Sequence, residues 1–305
     1  MVRQNTEWVL LRGFTLRLVI LFLLLASIAS VSAAQSQPPI KFGLTAVVVT
    51  ENLRLLDRWS QYLEHELGRK IEFVMRRSYR EVMDLLNSGS IDFAWICGYP
   101  FVQPREPEIL RLMAVPIYRG APRYHSYIIV HRDSPYKRMD DLRGQVFAFS
   151  DPDSNSGFLY PLALLSERKE SLETFFRQTF FTFNHAETVQ AIAEQVADGG
   201  AVDSYIWEFL AATRPEITKE TRIIKRSPSF GFPPLVSRIG AKAATVKRMQ
   251  EVLLEMNHNP VGKNLLTDFK LDGFGNFPVS LFYDIRKMAD QTRKITSRLA
   301  PVTAQ

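Results

Sequence analysis

From residue 40 onward, short apolar runs alternate with stripes of helical spacing, which restricts the chain to sheets covered by helices. Residues 40–44, 71–75, 91–97, 112–118 and 124–132 read as strands. Leu55, Leu56, Trp59, Leu63 and Leu67 recur at helical spacing and Gly68 ends that helix; 79–86 reads as the next. This rhythm predicts a mostly parallel sheet with helices on its faces. A second unit starts near Asp133, with strands at 146–149, 180–183, 202–206 and 222–224. Its helices follow Gly157 and span 186–197, where Val189, Ile192 and Val196 form one apolar edge. Pro228, Pro233 and Pro234 interrupt the chain before a strand at 235–238. Residues 243–295 read as largely helical, with Val246, Met249, Leu253 and Met256 in one stripe and a turn at Gly273-Phe274-Gly275.

One unit, a second, and a return imply two lobes, the first discontinuous. The limits are 35–126 with 236–305 for one lobe and 127–235 for the other, and the strands 124–132 and 235–238 would cross between them. Open α/β sheets bind ligands beyond the carboxyl ends of their strands, so two facing lobes enclose a cleft.

Residues 1–34 read as an export signal. Arg3, Arg12 and Arg17 precede a charge-free, mostly apolar run from Leu18 to Val31, and Ser32-Ala33-Ala34 forms a small-residue exit. The run is shorter than the roughly 20 apolar residues of a membrane span. The full chain carries a net charge of +6, and removing Arg3, Arg12, Arg17 and Glu7 with the signal leaves +4. No dense Lys/Arg block marks a nucleic-acid or lipid footprint. Cys97 is the only cysteine, so no intrachain disulfide forms and the core alone must stabilise the fold.

Residues 150–161, Ser-Asp-Pro-Asp-Ser-Asn-Ser-Gly-Phe-Leu-Tyr-Pro, lie where the strand 146–149 hands over to a helix. The first N–H groups of a helix have no partner within it, and the aligned peptide dipoles leave that end partly positive. Ser154, Asn155 and Ser156 either cap this end in the ordinary way or add donors to a seat for an oxyanion.

Asp151-Pro152 through Pro161 resembles the "DP-x-S-T-S-G-x-x-x-P" signature of the phosphonate-binding periplasmic proteins of ABC importers, a family with relatives that bind phosphate and phosphite. Further pieces match in order: Ile91-Asp92-Phe93-Ala94-Trp95; Tyr127 to Val130 with Asp133-Ser134-Pro135 and Asp141-Leu142; Asn184-His185-Ala186-Glu187; Val202-Asp203; and Ser227 to Arg238. The resemblance implies a two-lobed type II periplasmic-binding-protein fold with the ligand cleft between lobes. It implies location in the periplasm, an ABC permease as partner, and a phosphonate-, phosphate- or phosphite-like oxyanion as ligand. A monomer without cofactor or metal is expected. In the signature the Ser-Thr-Ser turn binds the oxyanion; Asn155 replaces the Thr, exchanging a hydroxyl donor for an amide donor. Pro233 stands where some members place an Asp that holds a ligand amine, and Glu208 stands near their other amine-binding acid.

The candidate ligand-binding residues are Ser154, Asn155, Ser156, Tyr79, Cys97, Tyr99, His185 and Asp203. Tyr79 opens a helix after a strand and packs or reaches the anion; His185 caps its helix or donates to the ligand; Asp203 is a strand-end acid or a cleft group. Cys97, at the carboxyl end of a strand with Tyr99 beside it, is either a buried small hydrophobe or a thiolate. The second option resembles periplasmic proteins that bind arsenite through one cysteine and feed a sensor kinase, and a Cys, His and carboxylate set could hold a metal. Catalysis is not expected. A nucleophile needs a base within reach, His185 alone is placed to act as one, and no nucleophile elbow, phosphate loop or zinc spacing is present.

Overall fold

The computed structural model describes residues 37–46, 52–103 and 109–299, with side chains through 294; the signal segment 1–34 lies outside these. Two mixed sheets organise the chain. The first runs β13-β4-β12-β3-β1-β2, built from β1 (Ile40–Leu44), β2 (Ile71–Met75), β3 (Phe93–Trp95), β4 (Leu110–Ile117), β12 (Leu235–Arg238) and β13 (Gly273–Gly275). The second runs β10-β6-β9-β7-β8, built from β6 (Ser126–His131), β7 (Val146–Phe149), β8 (Gln178–Phe181), β9 (Gly199–Asp203) and β10 (Thr221–Arg226). The expected parallel arrangement occupies one flank of each sheet, β2-β1-β3 and β8-β7-β9, while the returning strands pair antiparallel.

The helices that position the site follow those parallel strands: α1 (Leu53–Leu67), α2 (Tyr79–Asn87), α3 (Gly98–Phe101), α4 (Tyr160–Ser166), α5 (His185–Ala193) and α6 (Ser204–Thr213). Helix α1 buries Leu55, Leu56, Trp59 and Leu63 and ends on Gly68, which adopts φ 62° as a C-cap. Helix α2 starts with a capping box between Ser78 and Glu81. The expected stripe Val246, Met249, Leu253 and Met256 is buried. Among the described residues no helix is long and apolar enough to cross a membrane.

Several expectations need correction. The strand expected at 124–132 breaks at His125: β5 (Arg123–Tyr124) leaves to pair with β11 (Phe230–Gly231) in a separate two-stranded ribbon. That ribbon joins neither sheet, whereas 235–238 lies inside the first sheet. Val202 to Ile206 is not one strand; β9 ends at Asp203, whose side chain caps α6. Helix α5 stops at Ala193, so Val196 lies outside the apolar edge and is 59% exposed. Gly273 to Gly275 pairs with β4 as an edge strand and is not a free turn.

Aromatic packing stabilises the first lobe. Trp59 is fully buried, with ring centroids 4.9 Å from Phe73, 5.7 Å from Phe42, 5.5 Å from Phe269 and 5.8 Å from Trp95. Replacing Trp59 by Ala should lower unfolding free energy by about 3–5 kcal/mol, read from urea denaturation midpoints.

Candidate functional site

The turn after β7 is wider than an ordinary helix start. Ser154 caps it, its Oγ accepting from the Gly157 N–H at 2.9 Å. The Leu159 N–H reaches back five residues to the Ser154 carbonyl at 2.9 Å, and the Tyr160 N–H does the same to Asn155, which makes Asn155–Leu159 a single π-type turn. Such turns concentrate at functional sites. Gly157 is required here, because a Cβ would lie 2.6 Å from Ser150 Cβ and 3.0 Å from Ser154 Oγ. Ser126 Oγ donates to the Ser156 carbonyl at 2.6 Å and fixes the turn against β6.

His185, first residue of α5, stands behind this turn and is fully buried. Its Nδ1 accepts the Asp203 N–H at 3.1 Å, so the proton of the neutral ring sits on Nε2, which faces Ser154 Oγ at 3.5 Å. Burial pushes His185 down to about 3, which keeps the ring neutral at physiological pH. With Gly157 N–H and His185 Nε2–H directed at its oxygen, Ser154 retains its own hydroxyl hydrogen for another acceptor. His185 therefore positions Ser154. Asp203 ends β9, and its Oδ1 accepts from the N–H groups of Tyr205 at 2.7 Å and Ile206 at 3.4 Å. Burial raises its carboxyl to about 8.

The first lobe supplies the facing wall. Cys97 immediately precedes α3, and its Sγ accepts the Asn155 N–H at 3.3 Å. Burial pushes the thiol up to about 12, so it is a neutral acceptor and not a thiolate. The Tyr79 phenol is fully buried and shifted upward, first by burial and then by the nearby Cys97, Asp151 and Asp203. Tyr99 also directs its backbone N–H at the Cys97 sulfur, while its half-buried phenol makes no hydrogen bond among the described residues.

Tyr124 was missed from the sequence. Its hydroxyl accepts from Asn155 Nδ2 at 2.9 Å and faces Ser156. The signal was present in the segment Arg123-Tyr124-His125-Ser126, but reading it as continuous strand hid the break that directs Tyr124 inward. One Asn155 Nδ2–H is given to Tyr124, which leaves the second amide hydrogen and the unpartnered carbonyl oxygen.

Interlobe contacts surround this centre. Asp151 Oδ2 accepts from the Tyr79 N–H at 3.1 Å, and Arg80 pairs with Asp153 at 2.9 Å. Glu208 accepts from the hydroxyls of Tyr118 and Tyr127 and pairs with Arg119 at 2.8 Å. Its carboxylate is thereby committed to a bridge between lobes and is not free for a ligand amine. Pro233 contributes its carbonyl to Trp95 Nε1 at 3.0 Å and offers no acidic group.

Three polar atoms in this buried region, Tyr79 OH, Asn155 Oδ1 and Ser156 Oγ, have no hydrogen-bond partner. Each such group costs about 1–3 kcal/mol when left unpaired, which favours water or a solute that hydrogen-bonds here. Among the described residues no group of three His, Cys, Asp or Glu side chains is arranged to hold a metal.

The model of the family described as "ABC transporter, phosphonate, periplasmic substrate-binding protein" matches residues 42–278. The chain belongs to this family. It is 23% identical over 254 residues to the phosphonates-binding periplasmic protein of Escherichia coli, covering 81% of this chain and 74% of that one. Over 148 residues it is 31% identical to the phosphate-import protein PhnD of Mycolicibacterium smegmatis, covering 45% and 46%. The binding-protein component of a Pseudomonas aeruginosa ABC phosphonate transporter superposes with a TM-score of 0.81 at 20% identity, covering 88% of this chain and 91% of that one. PhnD1 from Prochlorococcus marinus, solved with methylphosphonate, superposes at 0.73 with 18% identity, covering 84% and 98%. These likenesses show the two-lobed type II periplasmic-binding-protein fold. The family assignment makes the protein a periplasmic solute receptor with a small ligand and a permease partner.

Two buried groups give opposed pH effects on stability. The folded state holds the Asp203 proton up to about 8 against an ordinary 3.8, so stability should decline as pH rises between those values. His185 titrates at about 3 against an ordinary 6.5, so stability should also decline as pH falls through that window. Melting curves should show Asp203→Asn flattening the alkaline decline and His185→Gln the acid one. Gly157→Ala should cost about 1–3 kcal/mol through overpacking against Ser150, measured by chemical denaturation.

Proposed function

We propose that this periplasmic receptor captures a small phosphonate-, phosphate- or phosphite-like oxyanion between its lobes and delivers it to an ABC permease. The observation that carries this reading is the set of unpartnered buried groups, Tyr79 OH, Asn155 Oδ1 and Ser156 Oγ, gathered beside the spare hydroxyl hydrogen of Ser154. Helix starts favour anions, and three of them (α2, the wide turn before α4, and α5) meet here. The ligand contacts are Ser154, Asn155, Ser156, Tyr79 and Asp203, with Tyr124 added; Cys97 and His185 hold the turn, and Tyr99 flanks it. Sheet membership supports lobes close to 35–126 with 236–305 and 127–235, hinged at the β5–β11 ribbon. Ligand contact with both walls shifts an open–closed equilibrium toward the closed form. The protein acts as a monomer after cleavage of residues 1–34, and catalyses nothing. His185 supports this last point: its Nδ1 is occupied by a backbone N–H and burial depresses its basicity.

No observation favours the arsenite-type reading with a sensor kinase, since the Cys97 thiol is neutral and already accepts the Asn155 N–H.

Calorimetry with methylphosphonate, phosphite and phosphate should give a saturable heat for at least one of the three; silence from all of them defeats the proposal. Hydrogen bonds to a charged ligand contribute on the order of 1.5–3 kcal/mol each, so Ser154→Ala and Ser156→Ala should each weaken binding by about tenfold or more. Cys97→Ser should retain binding within a few-fold.

A further inference from the structure

A second cleft lies in the first lobe and shares no residue with the oxyanion site. It measures about 410 Å³, within the roughly 300–1,000 Å³ typical of small-molecule sites. One wall is Leu110, Arg111 and Leu112, which open β4. Strand β4 is antiparallel to β12, and β12 to β3, so β4 runs in the same direction as β3 and β1. This wall therefore lies at the amino end of those strands, opposite the carboxyl ends that face the other lobe. The remaining walls come from Phe101 at the end of α3, Ile239 just past β12, Phe277 and Val279, and Arg286 in the last helix (Tyr283–Leu299).

Two independent features distinguish this cleft from a dent in the surface. The first is apolar exposure at a concavity: Ile239 and Val279 are 44% and 45% exposed, beside the buried Phe101 and Leu110. Such side chains gain by coming under an apolar body. The second is charge of a single sign. Arg111 and Arg286 line the cleft, and among the described residues no Asp or Glu does. Neither guanidinium has an ion pair or a hydrogen bond among the described residues, and Arg286 Nε is shut off from solvent without a partner. Other arginines of the same lobe have their own acids, Arg58 with Asp268 and Arg238 with Asp92.

Arginine stems commonly cover apolar surface while their heads stay in water. That accounts for the exposed Arg111. It does not account for Arg286, whose Nε–H meets neither solvent nor an acceptor. A guanidinium stays charged at every accessible pH, and its planar fork matches a carboxylate through two parallel hydrogen bonds. Cations without acids beside exposed apolar side chains complement a molecule with one acid head and an apolar body.

We propose that this cleft is a second binding site, for a small amphipathic carboxylate of the medium-chain fatty-acid class. Arg286 and Arg111 take the acid head, and the chain lies among Phe101, Ile239, Phe277 and Val279. The proposal goes beyond the oxyanion reading and does not rest on it. The cleft is concave and of bounded size, which suits one free short-chain molecule and not a bilayer face.

The test is calorimetry of the mature chain with octanoate, octanol and acetate near neutral pH. Octanoate should bind saturably, one per chain. Octanol lacks the acid and acetate lacks the chain, so each should bind at least tenfold more weakly. Arg286→Gln should weaken octanoate about tenfold or more, and Arg111→Gln by less because that side chain is exposed. Val279→Trp, at an exposed position, should block the cleft without removing a charge; melting curves check that each variant folds. No saturable octanoate binding overturns the proposal. Octanol binding as tightly as octanoate overturns it by excluding the arginines. Octanoate affinity unchanged in both Arg286→Gln and Val279→Trp overturns it by placing the molecule elsewhere, as does displacement of octanoate by methylphosphonate. Recruitment to phosphatidylglycerol vesicles in place of octanoate binding also overturns it, by making the patch a membrane contact.

Discussion

Unpaired N–H groups at helix starts govern the architecture of the cleft. Four helix or turn starts gather at the carboxyl ends of the parallel strands, and each must find an acceptor. Ser78 and Glu81 serve α2, Ser154 serves the wide turn, Asn184 serves α5 and Asp203 serves α6. Asp151 takes the Tyr79 N–H from across the cleft, and Cys97 takes that of Asn155. Capping therefore engages part of this set, Ser154 and Asp203 included, and leaves Tyr79 OH, Asn155 Oδ1 and Ser156 Oγ without a partner.

Most of this was legible in the chain itself. The strand–helix alternation, Gly68 as a terminator and the Asp-Pro segment located both sheets and the turn at 154–156, because each rests on a local backbone rule. Identity of roles was harder to read. His185 was expected to touch ligand or cap a helix, but its burial behind Ser154 depends on β9 lying alongside, a long-range pairing that no local pattern encodes. Tyr124 was hidden for a similar reason: only pairing with β11 pulls β5 out of the strand that follows it. The start of α6 at Ser204 was masked by apolar Tyr205 and Ile206, which suit a buried helix as well as a strand.

Around the neutral centre, charge is arranged as a rim. Arg80 with Asp153 and Arg119 with Glu208 each join one lobe to the other. The Glu208 carboxylate also gathers two phenols, and burial together with that carboxylate raises both tyrosines. Partly solvated pairs of this kind contribute little to global stability but can weight closed against open arrangements. The interior is thus held by hydrogen bonds, and the charged pairs lie at its edge.

The ribbon of β5 and β11 has a mechanical corollary. Because Arg123–Tyr124 and Phe230–Gly231 are hydrogen-bonded to each other, the two connecting chains cannot slide independently and behave as one strap. For lobes that close as proposed, such a strap admits a swing or twist and resists lateral gliding. Gly231 rests directly on the Leu281 carbonyl, where an added Cβ would come within 2.8 Å. Gly231 thereby ties the strap to the Val279–Phe282 turn, so a side chain added there would shift the ribbon as a whole.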